Sequence, residues 1–269
     1  MLKTRVITAL ILAGGLLAVL FLLPLAAAVA AFTLIVALGA WEWAGFLHAR
    51  PSLRIAYAAL TAGLCILMYF FAPPLLPTLL WAGALVFWLL LVPLWFRRKW
   101  SLGGQRSGWL VGWLLLLPAW AAMVELARQS AWLLLATMSV VWVADIAAYF
   151  AGRRWGRHKL APAISPGKTW EGAAGALAGV CAWGLLLMGG AGWLSGPALV
   201  AMAVLGLVLA TAVSIIGDLF ESLAKRQAGV KDSSRLLPGH GGILDRIDSL
   251  TSTLPLAALA LQLVLAHGR

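Results

Sequence analysis

The chain is short of nearly everything that makes a water-facing surface. Charged residues make up 11% of its 269 positions, only nine of them are acidic, and tyrosine occurs three times. Soluble domains carry about 25% charged residues, so a soluble globule is excluded. Cysteine is reduced to Cys65 and Cys181, each inside an apolar run. That excludes a disulfide scaffold, and with four scattered histidines it leaves no recognised zinc spacing. Strict apolar–polar alternation is also missing, which argues against a β-barrel. No internal repeat, low-complexity tail or soluble second domain is evident.

What fills the chain is hydrocarbon. Hydrophobic residues reach 63%, fifteen residues are Trp, and the mean hydropathy is +0.97. Crossing a hydrocarbon layer of about 30 Å takes about 20 helical residues, and lipid leaves the backbone only its own hydrogen bonds. The sequence predicts an all-α integral membrane protein, a polytopic bundle of nine spans. They run roughly 5–23, 26–47, 54–72, 76–96, 109–127, 131–150, 172–193, 197–217 and 250–267. Residues 1–269 form one membrane domain, with spans one to five in 1–130 and spans six to nine in 131–269. The first run follows Lys3 and Arg5 and precedes Ala26–Ala28, so a cleaved signal peptide competes with an uncleaved helix. Its apolar stretch is longer than the roughly 7–15 residues of a signal core, which favours the helix.

Basic residues orient the bundle. Lys3, Arg5, Arg50, Arg54, Arg97, Arg98, Lys99, Arg106, Arg153, Arg154, Arg157, Lys159, Lys168, Lys225, Arg226, Lys231, Arg235 and Arg246 fall on one side, Arg128 and Arg269 on the other. Positive charge stays cytoplasmic, so the N-terminus is expected inside and the C-terminus outside. The net charge of +11 is dispersed over membrane-flanking loops and fits anionic lipid headgroups better than nucleic acid.

Acids near a bilayer are costly and usually have a task. Asp145, Glu171, Asp218, Glu221, Asp232, Asp245 and Asp248 crowd into one stretch; Glu42 and Glu125 stand apart, where a polar helix end is explanation enough. Asp218 and Glu221, like Asp245 and Asp248, are three apart and share a face if helical. Such pairs can converge on a hard divalent cation, while Lys225, Arg226, Lys231, Arg235 and Arg246 suit phosphate oxygens. An ion-pair network without substrate uses the same residues, and Asp145 can equally serve a structural salt bridge.

Two loops combine glycine with proline and polar residues. "PGHGG", residues 238–242, has backbone N–H groups able to cradle an anion, though a plain tight turn has the same composition. His240 can bind phosphate, position a substrate or move a proton, and spacing specifies none of these. "SPGKTWEG", residues 165–172, ends like a P-loop, but the glycine required five positions before Gly167 is Pro162. A polar, flexible turn remains, offering Ser165, Lys168 and Thr169 to an anion.

"SLAKRQAGVKDSSRLLPGHGGILDRID", residues 222–248, resembles the signature of the phosphatidate cytidylyltransferases, also called CDP-diacylglycerol synthases. Ser222, Lys225, Arg226, Lys231, Asp232, His240, Gly241, Gly242, Asp245, Arg246 and Asp248 occupy its fixed positions. Ala224 departs from it, standing where the family usually has a larger apolar residue. The likeness extends through "GDLFES", "SPGKTWEG", "ADIAAYFAGRRWGRHKLAP" and "WEW" of the second span.

The resemblance implies that CTP and phosphatidate give CDP-diacylglycerol and pyrophosphate with Mg²⁺, and it leaves room for dCTP and for a second, monovalent cation. It also implies a homodimer in a bacterial cytoplasmic membrane, with the site at the cytoplasmic face. Asp218, Asp245 and Asp248 are the implied metal ligands, with Asp145 a supporting acid and Asp232 and His240 further members of the catalytic set. Lys225, Arg226, Lys231 and Arg246 are implied phosphate contacts, joined at the substrate by Ser165, Lys168, Thr169, Ser222, Gly241 and Gly242. The rivals are a CTP-dependent enzyme for another membrane lipid and an ion transporter. A transporter calls for acids at the bilayer midplane and for repeated halves.

Overall fold

The computed structural model describes residues 2–102 and 106–267, so Arg269 lies outside the described residues. Helix α1 (Leu2–Phe21), α2 (Leu25–Phe46) and α3 (Pro51–Phe71) lead into α4 (Leu75–Val86), a π-helical turn (Phe87–Leu91) and α5 (Val92–Arg98). Then come α6 (Arg106–Gln129), α7 (Ala131–Trp155), the strands β1 (Lys159–Ala161) and β2 (Ser165–Thr169), α8 (Trp170–Gly190), α9 (Pro197–Gln227) and α10 (Leu244–His267). The segments α4, π turn and α5 run on as one span, Leu75–Arg98. Among the described residues nine helices are long and apolar enough to cross a membrane, and the chain is a multi-pass all-α membrane protein.

Local sequence explains where the helices begin. Pro51 opens α3, where its missing N–H costs nothing. Ser130 Oγ accepts from the Trp132 N–H at the start of α7, and Thr169 Oγ1 accepts from the Gly172 N–H at the start of α8.

Two of the boundaries that differ from the hydropathy reading shape the site. Helix α9 runs on from the expected end near 217 to Gln227, and α10 begins at Leu244 rather than 250. Hydropathy stops where apolar residues stop, whereas the helical hydrogen-bond ladder continues through an amphipathic stretch that buries Phe220, Glu221 and Leu244. Asp218, Glu221, Asp245 and Asp248 are therefore all on helices. A second difference lies at 165–169: the expected flexible turn is β2, paired antiparallel with β1, Lys159 opposite Thr169 and Ala161 opposite Ser165.

The main core lies between α2, α4, α6 and α10 and closes over Phe220 of α9. That ring is fully buried, stacks on Trp43 at 6.4 Å, and meets Phe87, Trp88 and Trp95 edge-on at 5.5–5.7 Å. The π turn admits an extra residue, so the consecutive Phe87 and Trp88 both reach Phe220. Gly217, one residue before Asp218, lets α10 approach α9 closely: a Cβ there would lie 3.1 Å from the Asp248 carbonyl oxygen. Packing thus fixes the polar end of α9 against the start of α10.

Candidate active site

The end of the bundle that gathers the last turns of α2, α7 and α9 with the first turns of α8 and α10 carries the charged residues. Lys225 of α9 is its pivot. Its Nζ pairs with Glu221 one turn earlier and with Asp245 Oδ1 of α10 at 2.6 Å, and all three side chains are largely buried. Asp245 Oδ2 accepts from the Ser233 N–H at 2.8 Å, the Gly242 N–H at 2.9 Å and the Ser233 hydroxyl at 2.9 Å. Both oxygens of Asp245 are therefore engaged by protein donors.

Asp218 is held more loosely. Its Oδ2 pairs with Lys168 of β2 at 2.5 Å, and its Oδ1 accepts from Ser222 at 3.3 Å. Asp145 of α7 interacts electrostatically with Asp218, Lys168 and Arg246. Asp248 feels the charges of Asp218, Asp145 and Lys225, and its Oδ1 accepts from the Ser249 N–H at 2.7 Å. Asp145, Asp218 and Asp248 thus form one electrostatic cluster drawn from three helices.

The sequence-predicted metal set, Asp218 with Asp245 and Asp248, is not gathered as one site. Among the described residues no three His, Cys, Asp or Glu side chains converge as ready-made ligands, and Asp245 already serves Lys225 and the loop. The remaining acids have the donor chemistry of a hard-cation site. Like charges brought together in a partly dry site need a counter-charge, and a Mg²⁺ site takes one or two carboxylates with water and substrate phosphate completing it.

A cavity of about 650 Å³ opens beside this cluster, lined by Arg5, Lys231, Asp232, Arg235, His240 and Arg246 together with the Leu237–Gly241 backbone and Ser234. Its wall is the 238–242 turn. Leu237 N–H donates to Gly241 O at 2.8 Å, the His240 N–H donates to Leu237 O at 2.8 Å, and Gly241 takes φ +79°, which glycine adopts without strain. His240 Nδ1 is buried without a hydrogen-bond partner. Arg246 lines the cavity and also acts on Asp145, so it joins the cationic space to the acids.

The other expected contacts have varied placements. Lys168 reaches the acid cluster, whereas Thr169 is 5% exposed and spends its hydroxyl capping α8. Ser165 is half-buried in β2, and the exposed Arg226 leans on the hairpin through Ile164 O at 3.5 Å. Gly242 packs inward against Ser233 and Glu42 rather than facing the cavity.

Three residues take parts that the sequence did not assign to them. Glu221 is 5% exposed, and its Oε1 lacks a hydrogen-bond partner. Its spacing to Lys225 signalled the ion pair. Arg5 reaches the cavity from α1, where Thr8 donates to Pro238 O at 3.0 Å, and no local pattern announces that. Glu42, assigned to a polar helix end, is instead fully buried and hydrogen-bonded to residues of the signature loop. A lone acid between Trp41 and Trp43 in an apolar helix was the available signal.

The profile of the cytidylyltransferase family matches residues 3–264. The chain belongs to the cytidylyltransferase family. It is similar to the phosphatidate cytidylyltransferase of Pseudomonas aeruginosa, 45% identical over 267 residues that cover 97% of either chain. The phosphatidate cytidylyltransferase of Haemophilus influenzae is 48% identical over 124 residues, 46% of this chain and 43% of that one. That of Brucella suis is 54% identical over 121 residues, 45% and 43% of the two chains. As a cytidylyltransferase the chain is a membrane-embedded nucleotidyltransferase, and the cationic cavity beside an acid cluster is what transfer of a nucleotidyl group requires.

Proposed function

We propose that this cytidylyltransferase uses CTP and phosphatidate, forming CDP-diacylglycerol and pyrophosphate. The observation that carries the reading is the juxtaposition of the cation-lined cavity with Asp145, Asp218 and Asp248 at one end of a lipid-embedded bundle. A nucleotide from water and a two-tailed lipid from the bilayer have such a boundary in common. The full-length similarity to a phosphatidate cytidylyltransferase supports the choice of acceptor.

In this mechanism a phosphate oxygen of phosphatidate attacks the α-phosphorus of CTP. The new P–O bond forms as the bond to the β-phosphate breaks, and pyrophosphate leaves with that electron pair. The nucleophile is already an anion, so no side chain has to remove a proton. Lys231, Arg235 and Arg246 bind and orient the phosphates in the cavity, with Arg5 closing it from α1. Lys225 is withheld from substrate by its two acids and keeps α9 and α10 in register. Asp218 and Asp248 would hold Mg²⁺, with Asp145 supporting them; the ion supplies charge neutralisation on phosphoryl oxygens.

Proposed with the same reading are a bacterial inner-membrane location with the N-terminus and the site cytoplasmic, and a homodimer. The deciding experiment incubates purified protein in lipid with labelled CTP, Mg²⁺ and a panel of lipid acceptors. Labelled CDP-diacylglycerol formed only with phosphatidate is the expected product, with activity lost on chelation and restored by Mg²⁺. A labelled product from another acceptor alone, or ion flux without nucleotide turnover, overturns the reading.

A further inference from the structure

Glu42 has both oxygens engaged by protein donors, and it lies in the WEW of α2, far in sequence from the 222–248 signature. It sits near the end of α2 with no accessible surface. Its Oε1 accepts from the Ser234 hydroxyl at 2.6 Å and the Ile243 N–H at 2.9 Å; its Oε2 accepts from the Leu244 N–H at 2.7 Å and the Ser233 hydroxyl at 3.0 Å. These donors belong to the two stems of one arc. Ser233 and Ser234 begin it, Ile243 and Leu244 end it, and Arg235, Pro238 and His240 between them line the cavity.

The attachment is specific. Ile243 and Leu244 sit at the start of α10, where backbone N–H groups have no helical acceptor, so a carboxylate borrowed from α2 caps a helix about 200 residues away. The serine at one stem is shared: Ser233 Oγ lies between Glu42 Oε2 at 3.0 Å and Asp245 Oδ2 at 2.9 Å, and its single hydrogen serves one of them at a time. Gly242 completes the fit, because a Cβ there would run into Ser233 Oγ and Glu42 Oε1. Arg54 of α3 supplies the longer-range positive charge; it interacts electrostatically with Glu42, lies 3.7 Å over the Trp41 ring and donates to Trp41 O at 3.1 Å. No residue of this arrangement other than Ser234 lines the cavity with its own atoms, apart from what the arc presents.

We propose that Glu42 is a positioning residue for nucleotidyl transfer: it clamps both stems of the 233–244 arc and so sets Arg235, His240 and Arg246 around the nucleotide phosphates. The proposal rests on the CTP-dependent reading above. It differs from a purely structural role in its consequence. The apolar contacts of α2 with α3 and α6 do not depend on the carboxylate, so loosening the clamp moves the arc and leaves the bundle standing.

The test is a graded series in the full chain in lipid nanodiscs: Ser234→Ala removes one donor, Glu42→Gln keeps one carbonyl acceptor, and Glu42→Ala keeps none. Hydrogen bonds to a charged group are worth enough for the last variant to lose about tenfold or more in kcat/KM. The expected result is a KM for CTP that rises in the order Ser234→Ala, Glu42→Gln, Glu42→Ala, with faster amide exchange confined to 233–244. The melting temperature of Ser234→Ala stays at the wild-type value. An unchanged KM in Ser234→Ala and Glu42→Gln overturns the proposal, as does exchange that rises equally through α2 and α10 with a matching loss of thermal stability. If Glu42→Ala does not fold, the two milder variants decide. Wild-type protein that fails to turn over CTP counts against the reading of function, whereas the exchange pattern of the arc still tests the clamp.

Discussion

At the scale of single residues, the acids of the site divide by what already holds them. Asp245 has every oxygen engaged, Asp218 has one lysine and a long bond from Ser222, and Lys225 stands between two acids. Different losses follow. Lys225→Met leaves Glu221 and Asp245 buried without their cation, and breaking such a pair costs about 3–5 kcal/mol, so melting temperature and activity fall together. Asp218→Asn keeps the shape and the Ser222 contact while removing charge from the proposed metal site. Its expected signature is a kcat lower by about two orders of magnitude at an unchanged melting temperature, measured in the same preparations. Near-normal turnover in Asp218→Asn would remove that acid from the chemistry.

At the scale of elements, the spans were legible because lipid forces every backbone group into a helix, so apolar length alone reports them. The polar extensions were not. Residues 218–227 and 244–249 are helical because α9 and α10 pack on each other and Phe220 of α9 is held among Trp43, Phe87, Trp88 and Trp95, a tertiary cause that hydropathy does not sense. The signature residues could be read as a group from spacing within one loop, but their division of labour could not. That Asp245 holds the loop while Asp218 stays loosely held depends on Ser233, Gly242 and Lys168, which no periodicity links. Phe220→Ala is predicted to cost about 3–5 kcal/mol through the cavity left among Trp43, Phe87, Trp88 and Trp95, and to lower activity because α9 loses its support. Thermal unfolding and CTP turnover check it together. Helix α1 has few buried residues and touches the turn through Thr8 and Arg5, so Arg5→Ala should raise the KM for CTP several-fold and leave the melting temperature in place.

At the scale of the whole molecule, charge asymmetry supports the proposed orientation, with the site facing the cytoplasmic nucleotide. Arg128 lies at the end of the bundle opposite the site, whereas Arg153 and Arg154 lie at the last turn of α7 beside it. Replacing Cys65 and Cys181 with Ala, then introducing Arg128→Cys or Arg154→Cys, places one thiol at either end. A membrane-impermeant maleimide added to spheroplasts should label position 128 directly and position 154 only after permeabilisation. The reverse pattern would put the cavity on the wrong side for a cytoplasmic nucleotide.

The bond between Glu42 and the Leu244 amide spans 202 positions of sequence, and it therefore also spans time. At about 5–20 residues per second, a ribosome takes roughly 10–40 s to deliver the partners of Glu42 after Glu42 itself has entered the membrane. Until Ser233 is made, 191 positions on, the carboxylate sits in a nascent, partly inserted bundle with none of its four donors. The proposed clamp closes only when α10 arrives, so a chain interrupted before that helix is expected to lack nucleotidyl transfer and to carry an uncompensated acid. Such a fragment is an expected target for membrane proteolysis.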